Sequence, residues 1–139
     1  MPFTCAIVTP SDAVLDTPAT YASFEAWDGQ KGVMPGTSAF LTKLGTGVVT
    51  VQSEGGASRV FVLDGGFAQM DGSRLTLLTE RAMEGAGIDA AAAERELADA
   101  NAKVLAAGEK AGTPEDRLAV ERAQRLARAK IAAAQLARG

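Results

Sequence analysis

The stretch "RLTLLTERAMEGAGIDAAAAEREL" (residues 74–97) changes character halfway, and that change decides the fold. Its first part is a short run of Leu and Thr that suits a strand; after the "EGAG" of residues 84–87 it turns to alanine and charge at helical period. Outward from this point the chain divides into a strand-rich part, residues 1–84, and a helical part, residues 85–139.

Toward the N-terminus, "FTCAIVT" (3–9), "TYASFEAW" (20–27), "GVVTVQS" (47–53), "SRVFVLD" (58–64) and "RLTLLTE" (74–80) are short segments rich in Val, Phe, Thr and Leu. The turns "EGGA" (54–57) and "MDGS" (70–73) read as hairpin connections, because Gly supplies the positive φ such turns need. Short strands with this spacing predict an N-terminal all-β sandwich or flattened barrel. Toward the C-terminus, Asp89 is placed to cap a helix whose Leu97, Ala100, Val104 and Ala107 recur at helical spacing. "AGEKAG" (107–112) breaks the pattern, and Thr113, Pro114, Glu115 and Asp116 start a second helix with Leu126, Ala129, Ala133 and Leu136 as its seam. Two helices with a short break predict an antiparallel helical hairpin. Alanine seams bury little area at about 25 cal/mol per Å², yet alanine sustains helix by itself, so a detachable hairpin and a stable appendage both fit.

Composition narrows the chemistry. The single cysteine, Cys5, sits in the apolar run "FTCAIV" and reads as a small core side chain. There is no histidine, which removes His-dependent triads and His-ligated zinc, and the carboxylates are scattered singly. No catalytic residue, no metal site and no cofactor is expected. The net charge of -3 gives no pull toward nucleic acid, and no apolar run is long enough to span a bilayer; with no signal-like start, the chain reads as cytoplasmic. Charge is unevenly placed, however. Residues 1–84 carry five basic against nine acidic residues, whereas Arg122, Arg125, Arg128, Lys130 and Arg138 follow one another with no acid between or after them. The helix dipole accounts for cations in the last turn only, so an acidic partner and a solvated face remain open for the rest.

In "GVMPGTSAFLTKLGTGVV" (32–49), Pro35 fixes φ, Gly32 and Gly36 permit tight turns, and Val33, Met34, Phe40 and Leu41 are expected to anchor the excursion on the core.

These segments together resemble the epsilon subunits of F-type ATP synthases. The likeness runs through "IVTP" (7–10), the 32–49 stretch, "LDGGFAQM" (63–70) with Gly65, Gly66 and Phe67 as a family turn motif, "LTLLTERA" (75–82) and the "ID" of Ile88 and Asp89. The resemblance implies a non-catalytic central-stalk subunit at the cytoplasmic face of a bacterial plasma membrane, held to the membrane only through its complex. Its partners would be the gamma subunit, the c-subunit ring and the alpha/beta catalytic head. The ring-facing loop would comprise Gln30, Lys31, Gly32, Met34, Pro35 and Gly36, and the basic helix face Arg122, Arg125, Arg128 and Lys130 would regulate hydrolysis by the head. The family's His-Ala-Pro is here Thr37, Ser38 and Ala39, which removes one rigid turn element, and Gln30 and Lys31 stand where an acid is usual. Some members bind ATP through Ile-Asp followed by Arg-Ala; here Ala92 stands at the arginine position, followed by Ala93, leaving only a remnant of that motif. A small hydrolase would need a nucleophile with a base, or a carboxylate pair. A free-standing β-sandwich binding module with a helical lid is the other alternative, and it differs in forming no stable complex with gamma.

Overall fold

The computed structural model describes residues 2–107 and 114–138. Its strands are β1 (Phe3–Val8), β2 (Ala13–Ala26), β3 (Gly29–Val33), β4 (Phe40–Ser53), β5 (Ser58–Met70), β6 (Arg74–Leu78) and β7 (Ala82–Glu84). A 3-10 turn, Gly85–Gly87, leads into α1 (Ala90–Ala107) and α2 (Pro114–Arg138). The expected order, β-sandwich first and helical hairpin second, is the order observed.

β1 closes the β part into a flattened barrel. It pairs in parallel with β6 on one side and antiparallel with β2 on the other, so β1, β6, β5, β4 and β2 form a ring, with β3 on β2 and β7 on β5. Phe24, Phe61, Ile7, Leu63, Leu75 and Leu77 are fully buried inside it, and so is Cys5. Three strands run further than their apolar segments suggest: β2 begins at Ala13, β4 at Phe40, and β5 continues to Met70 through Gly65, Gly66 and Phe67, which form no turn because β4 and β6 hold them in the ladder. β3, with two glycines in five residues, has no apolar signature at all. Ladder pairing explains these extensions: β1 holds the start of β2, β5 holds the start of β4, and β4 and β6 flank the end of β5, so residues whose own strand propensity is poor are kept extended.

Alternation breaks in β4 and β5 together. Val49 and Phe61 point inward, and so do Leu44 and Ala68, although the separations along each strand, Leu44 to Val49 in β4 and Phe61 to Ala68 in β5, are odd. The reversal falls between the pairs Thr46↔Asp64 and Leu44↔Gly66, where Gly65 and Gly66 have φ of 79° and 117°. Only glycine takes such angles freely. The consequence is that one pair of strands has outward apolar residues on two different surfaces: Val48, Val60 and Val62 toward one end, Leu41 and Phe67 toward the other.

The first surface is covered by α2. Leu126, Ala129 and Ala133 pack on Val48, Val60, Val62, Met83 and Ile88, forming a small second core. The α2 seam expected to meet the other helix therefore meets the sheet. The stripe facing α1 contains Gln124, Ala127, Lys130 and Ala134, marked by hydrogen bonds from Gln124 to Asn101 (2.8 Å) and from Lys130 to Glu96 (2.9 Å). Leu136, assigned to the seam, is exposed, because beyond Ala133 the helix runs past the apolar sheet residues. Asp89 caps α1 as expected, accepting from the amides of Ala91 (3.0 Å) and Ala92 (3.3 Å). Most of the break expected over 107–112 and the Thr113 cap lie outside the described residues, as do the side chains of Val104, Ala107, Asp116 and Arg138.

Candidate functional site

The loop residues singled out from sequence fall into two groups. Gln30, Lys31 and Gly32 belong to β3, paired with Glu25, Phe24 and Ser23. Strand alternation sends neighbours to opposite faces. Gln30 faces a groove under α2, whereas the Lys31 ammonium lies 5.3 Å from the centroid of the Phe40 ring. Tyr21 lies across Gly32, with its hydroxyl 2.8 Å from where a β-carbon would stand.

Met34, Pro35 and Gly36 form the second group, a tight turn in which Gly36 takes φ of 91°. Thr37 closes it. Its hydroxyl donates to the Met34 carbonyl at 2.7 Å and accepts from the Met34 amide at 3.0 Å, while its own amide donates to the same carbonyl at 3.1 Å. The turn is thus braced by a threonine hydroxyl. Val33 is buried and Phe40 stacks on Phe24 with centroids 6.3 Å apart, so these two anchor the excursion. Met34 and Leu41 do not; both are exposed, because the turn and the outward side of β4 carry them away from the core. A threonine immediately after a Pro-Gly pair is a readable signal for this brace.

Phe67 is turned outward by the Gly65–Gly66 reversal and stands opposite Leu78 of β6. β5 and β6 approach so closely there that a β-carbon on Gly66 would collide with the Leu78 carbonyl oxygen. Phe67 and Leu78 are 53% and 45% exposed, and with Val8, Thr9, Pro10 and Glu80 they line a groove of about 490 Å³. This exposed aromatic–aliphatic pair is apolar surface that the closed barrel leaves uncovered.

Ile88 is spent on the second core, and the Asp89 carboxylate on capping α1. The adjoining cavity of about 400 Å³ is lined by Glu84, Asp89 and Glu96, and Lys130, its only lining cation among the described residues, is bound to Glu96. Arg59 holds Glu84 by three contacts of 2.7 to 3.2 Å. Among the described residues that line the cavity, the cation is thus already paired. Of the basic helix face, Lys130 is therefore drawn into the hairpin, whereas Arg122, Arg125 and Arg128 are exposed. Arg125 and Arg128 overhang the groove of about 420 Å³ that contains Glu25 and Gln30. Glu25 itself lies flat over β4, its β-carbon 2.6 Å from where one would stand on Gly47, which accounts for the glycine there. Among the described residues no group of three or more His, Cys, Asp and Glu side chains is placed to hold a metal, and no helix is long and apolar enough to cross a membrane.

Residues 2–85 match the family described as ATP synthase, Delta/Epsilon chain, beta-sandwich domain. The chain is 33% identical over 130 residues to the ATP synthase epsilon chain of Synechococcus sp. (strain JA-2-3B'a(2-13)), covering 94% of this chain and 91% of that one. It is 37% identical over 100 residues to the epsilon chain of Rhodopirellula baltica, covering 72% and 77%. In fold it is similar to a chain of the Euglena gracilis mitochondrial ATP synthase OSCP/F1/c-ring structure, with TM-score 0.82 at 22% identity over 95% of this chain and 81% of that one.

Proposed function

Because this chain belongs to the ATP synthase delta/epsilon family, we propose that it is the epsilon subunit of a proton-translocating F-type enzyme, a non-catalytic part of the central stalk that couples gamma to the c-ring. The observation that carries the reading is the outward pair Phe67–Leu78, apolar surface that the chain leaves uncovered while covering the equivalent valines with its own helix. Gamma is the partner for this face. The Thr37-braced turn presents Met34 to the ring, on a short loop whose shape is set by proline, a positive-φ glycine and three hydrogen bonds. The hairpin is docked on the barrel here, and its exposed arginines are the surface it carries toward the alpha/beta head when it extends. The subunit is peripheral, at the cytoplasmic face of the bacterial plasma membrane, held there through the complex. Residues 1–84 are the assembly part and residues 85–139 the regulatory part.

Gel filtration of the purified chain with purified gamma tests the reading. A stable one-to-one complex is expected, and elution of the two as separate species at micromolar concentration would overturn it.

A further inference from the structure

The Phe67–Leu78 pair is the middle of a longer feature. The strand registers place Val8 beside Leu78, Leu78 beside Phe67, and Phe67 beside Lys43. The amide of Trp27 donates to the carbonyl of Lys43 at 2.9 Å, which sets Trp27 next in the row. Trp27 is 68% exposed. The result is a belt running across four strands and the turn that follows β2, from Trp27 through Lys43, Phe67 and Leu78 to Val8. With strands about 4.8 Å apart it is about 19 Å long.

A partner cannot join this belt by adding a strand, because Phe67 and Leu78 lie on strands paired on both sides within the closed ring. Only side-chain packing is available, and an apolar row perpendicular to the strands matches the stripe of an amphipathic helix, about 13 residues of which span it. Charge sets the register. Lys43 lies between Trp27 and Phe67, exposed, with no carboxylate among the described residues within ion-pair distance, and Glu80 borders the groove near the far end.

We infer that the belt receives an amphipathic helix of the partner subunit lying across the strands, with apolar residues on Trp27, Phe67 and Leu78 and an acidic residue between them on Lys43. This rests on gamma being the partner of the Phe67–Leu78 face and adds the kind of segment, its orientation and two further contact residues.

The test uses the full-length chain and purified gamma. Trp27, Lys43 and Phe67 are exposed, so replacing them leaves the core intact. Trp27→Ala and Phe67→Ala are each expected to raise Kd about tenfold or more, as buried aromatic anchors do. Lys43→Glu is expected to do the same, with binding restored by one acid-to-lysine change in gamma. Photo-cross-linkers at positions 27 and 67, two strand spacings apart, are expected to capture one gamma helix at sites about six or seven residues apart. Binding of gamma that is indifferent to Trp27→Ala, or cross-links to two separate segments or to a strand or ring loop, would overturn the inference while leaving the stalk assignment intact. Failure of the unmodified chain to bind gamma would overturn both.

Discussion

Gly85 and Ala133 meet backbone to backbone: a β-carbon on Gly85 would stand 2.8 Å from the Ala133 carbonyl oxygen and 3.2 Å from that of Val60. Neither neighbour is a flexible side-chain end, so any side chain at Gly85 must move α2 or the strand. The strand is held in the ring and α2 by a few small residues, so α2 is the part that yields. Gly85→Ala is expected to cost the docked hairpin about 1–3 kcal/mol, the usual range for overpacking, and Gly85→Val more. Faster proteolysis within residues 90–138, with the thermal unfolding of the barrel unchanged, is the expected result.

Thr37 gives a second prediction. Thr37→Val keeps the shape but removes the hydroxyl that both donates to and accepts from Met34, loosening the turn by about 1 kcal/mol, whereas Thr37→Ser retains the brace. In the assembled enzyme the valine variant is expected to lower proton-driven ATP synthesis with hydrolysis by the isolated head unchanged, and the serine variant to behave as wild type. An equal loss of both activities would indicate a folding defect instead.

Changing Arg122, Arg125 and Arg128 together to Gln is expected to raise hydrolysis by the assembled enzyme at low salt, with added salt shrinking the difference. Lys130 is left out because it is committed to Glu96. Lys130→Gln should instead loosen α1 from α2, seen as earlier melting of the helical signal. Unchanged hydrolysis in the triple variant would make its arginines a solvated face.

Much of this architecture was legible in the sequence because it depends on local residue types: the switch at residues 84–87, the Asp89 cap and the apolar runs of β1 and β6. What was not legible depends on partners. β3 has no apolar pattern and exists because β2 offers it an edge. The reversal at Gly65–Gly66 hides from any period-2 count, so the outward direction of Phe67 could not be read. Likewise Leu126, Ala129 and Ala133 define a stripe, but nothing in the stripe tells whether a helix or a sheet will cover it. The loop was legible as a turn, whereas the separation of Gln30 from Lys31 follows from their belonging to a strand.

Burial pushes the Cys5 thiol up to about 12 from an ordinary value of 9.0. Its folded pKa lies above the unfolded one, so the protonated thiol favours the native state; that contribution is whole below pH 9.0 and declines as pH rises toward about 12. Cys5 is therefore expected to resist alkylation at pH 8 until the barrel unfolds, and Cys5→Ala to flatten the alkaline limb of the stability curve. In the Gly85→Ala protein the thiol should stay protected, separating release of the hairpin from opening of the barrel.

Ending the chain after Glu84 removes every residue of α1 and α2 but none of the main core, which lies between Phe3 and Ala82. The fragment is expected to melt cooperatively and still bind gamma. Val48, Val60 and Val62 become exposed, so it should self-associate, and Val62→Thr should relieve this.

The parallel ladder of β1 on β6 sets Thr4 beside Arg74, and Val8 beside Leu78. The first strand made thus waits for nearly the whole barrel sequence before it finds that partner, and the ring cannot close earlier. Loop-closure entropy must be met before the contacts that reward it form, which makes barrel closure the slow step of folding, on the millisecond-to-second scale of all-β domains. The hairpin, whose contacts within and between its helices are near in sequence, forms fast but has no surface to settle on until that ring is shut. The order in which the two parts mature is thus written into one strand pairing: the barrel is completed first, and the hairpin is fitted last.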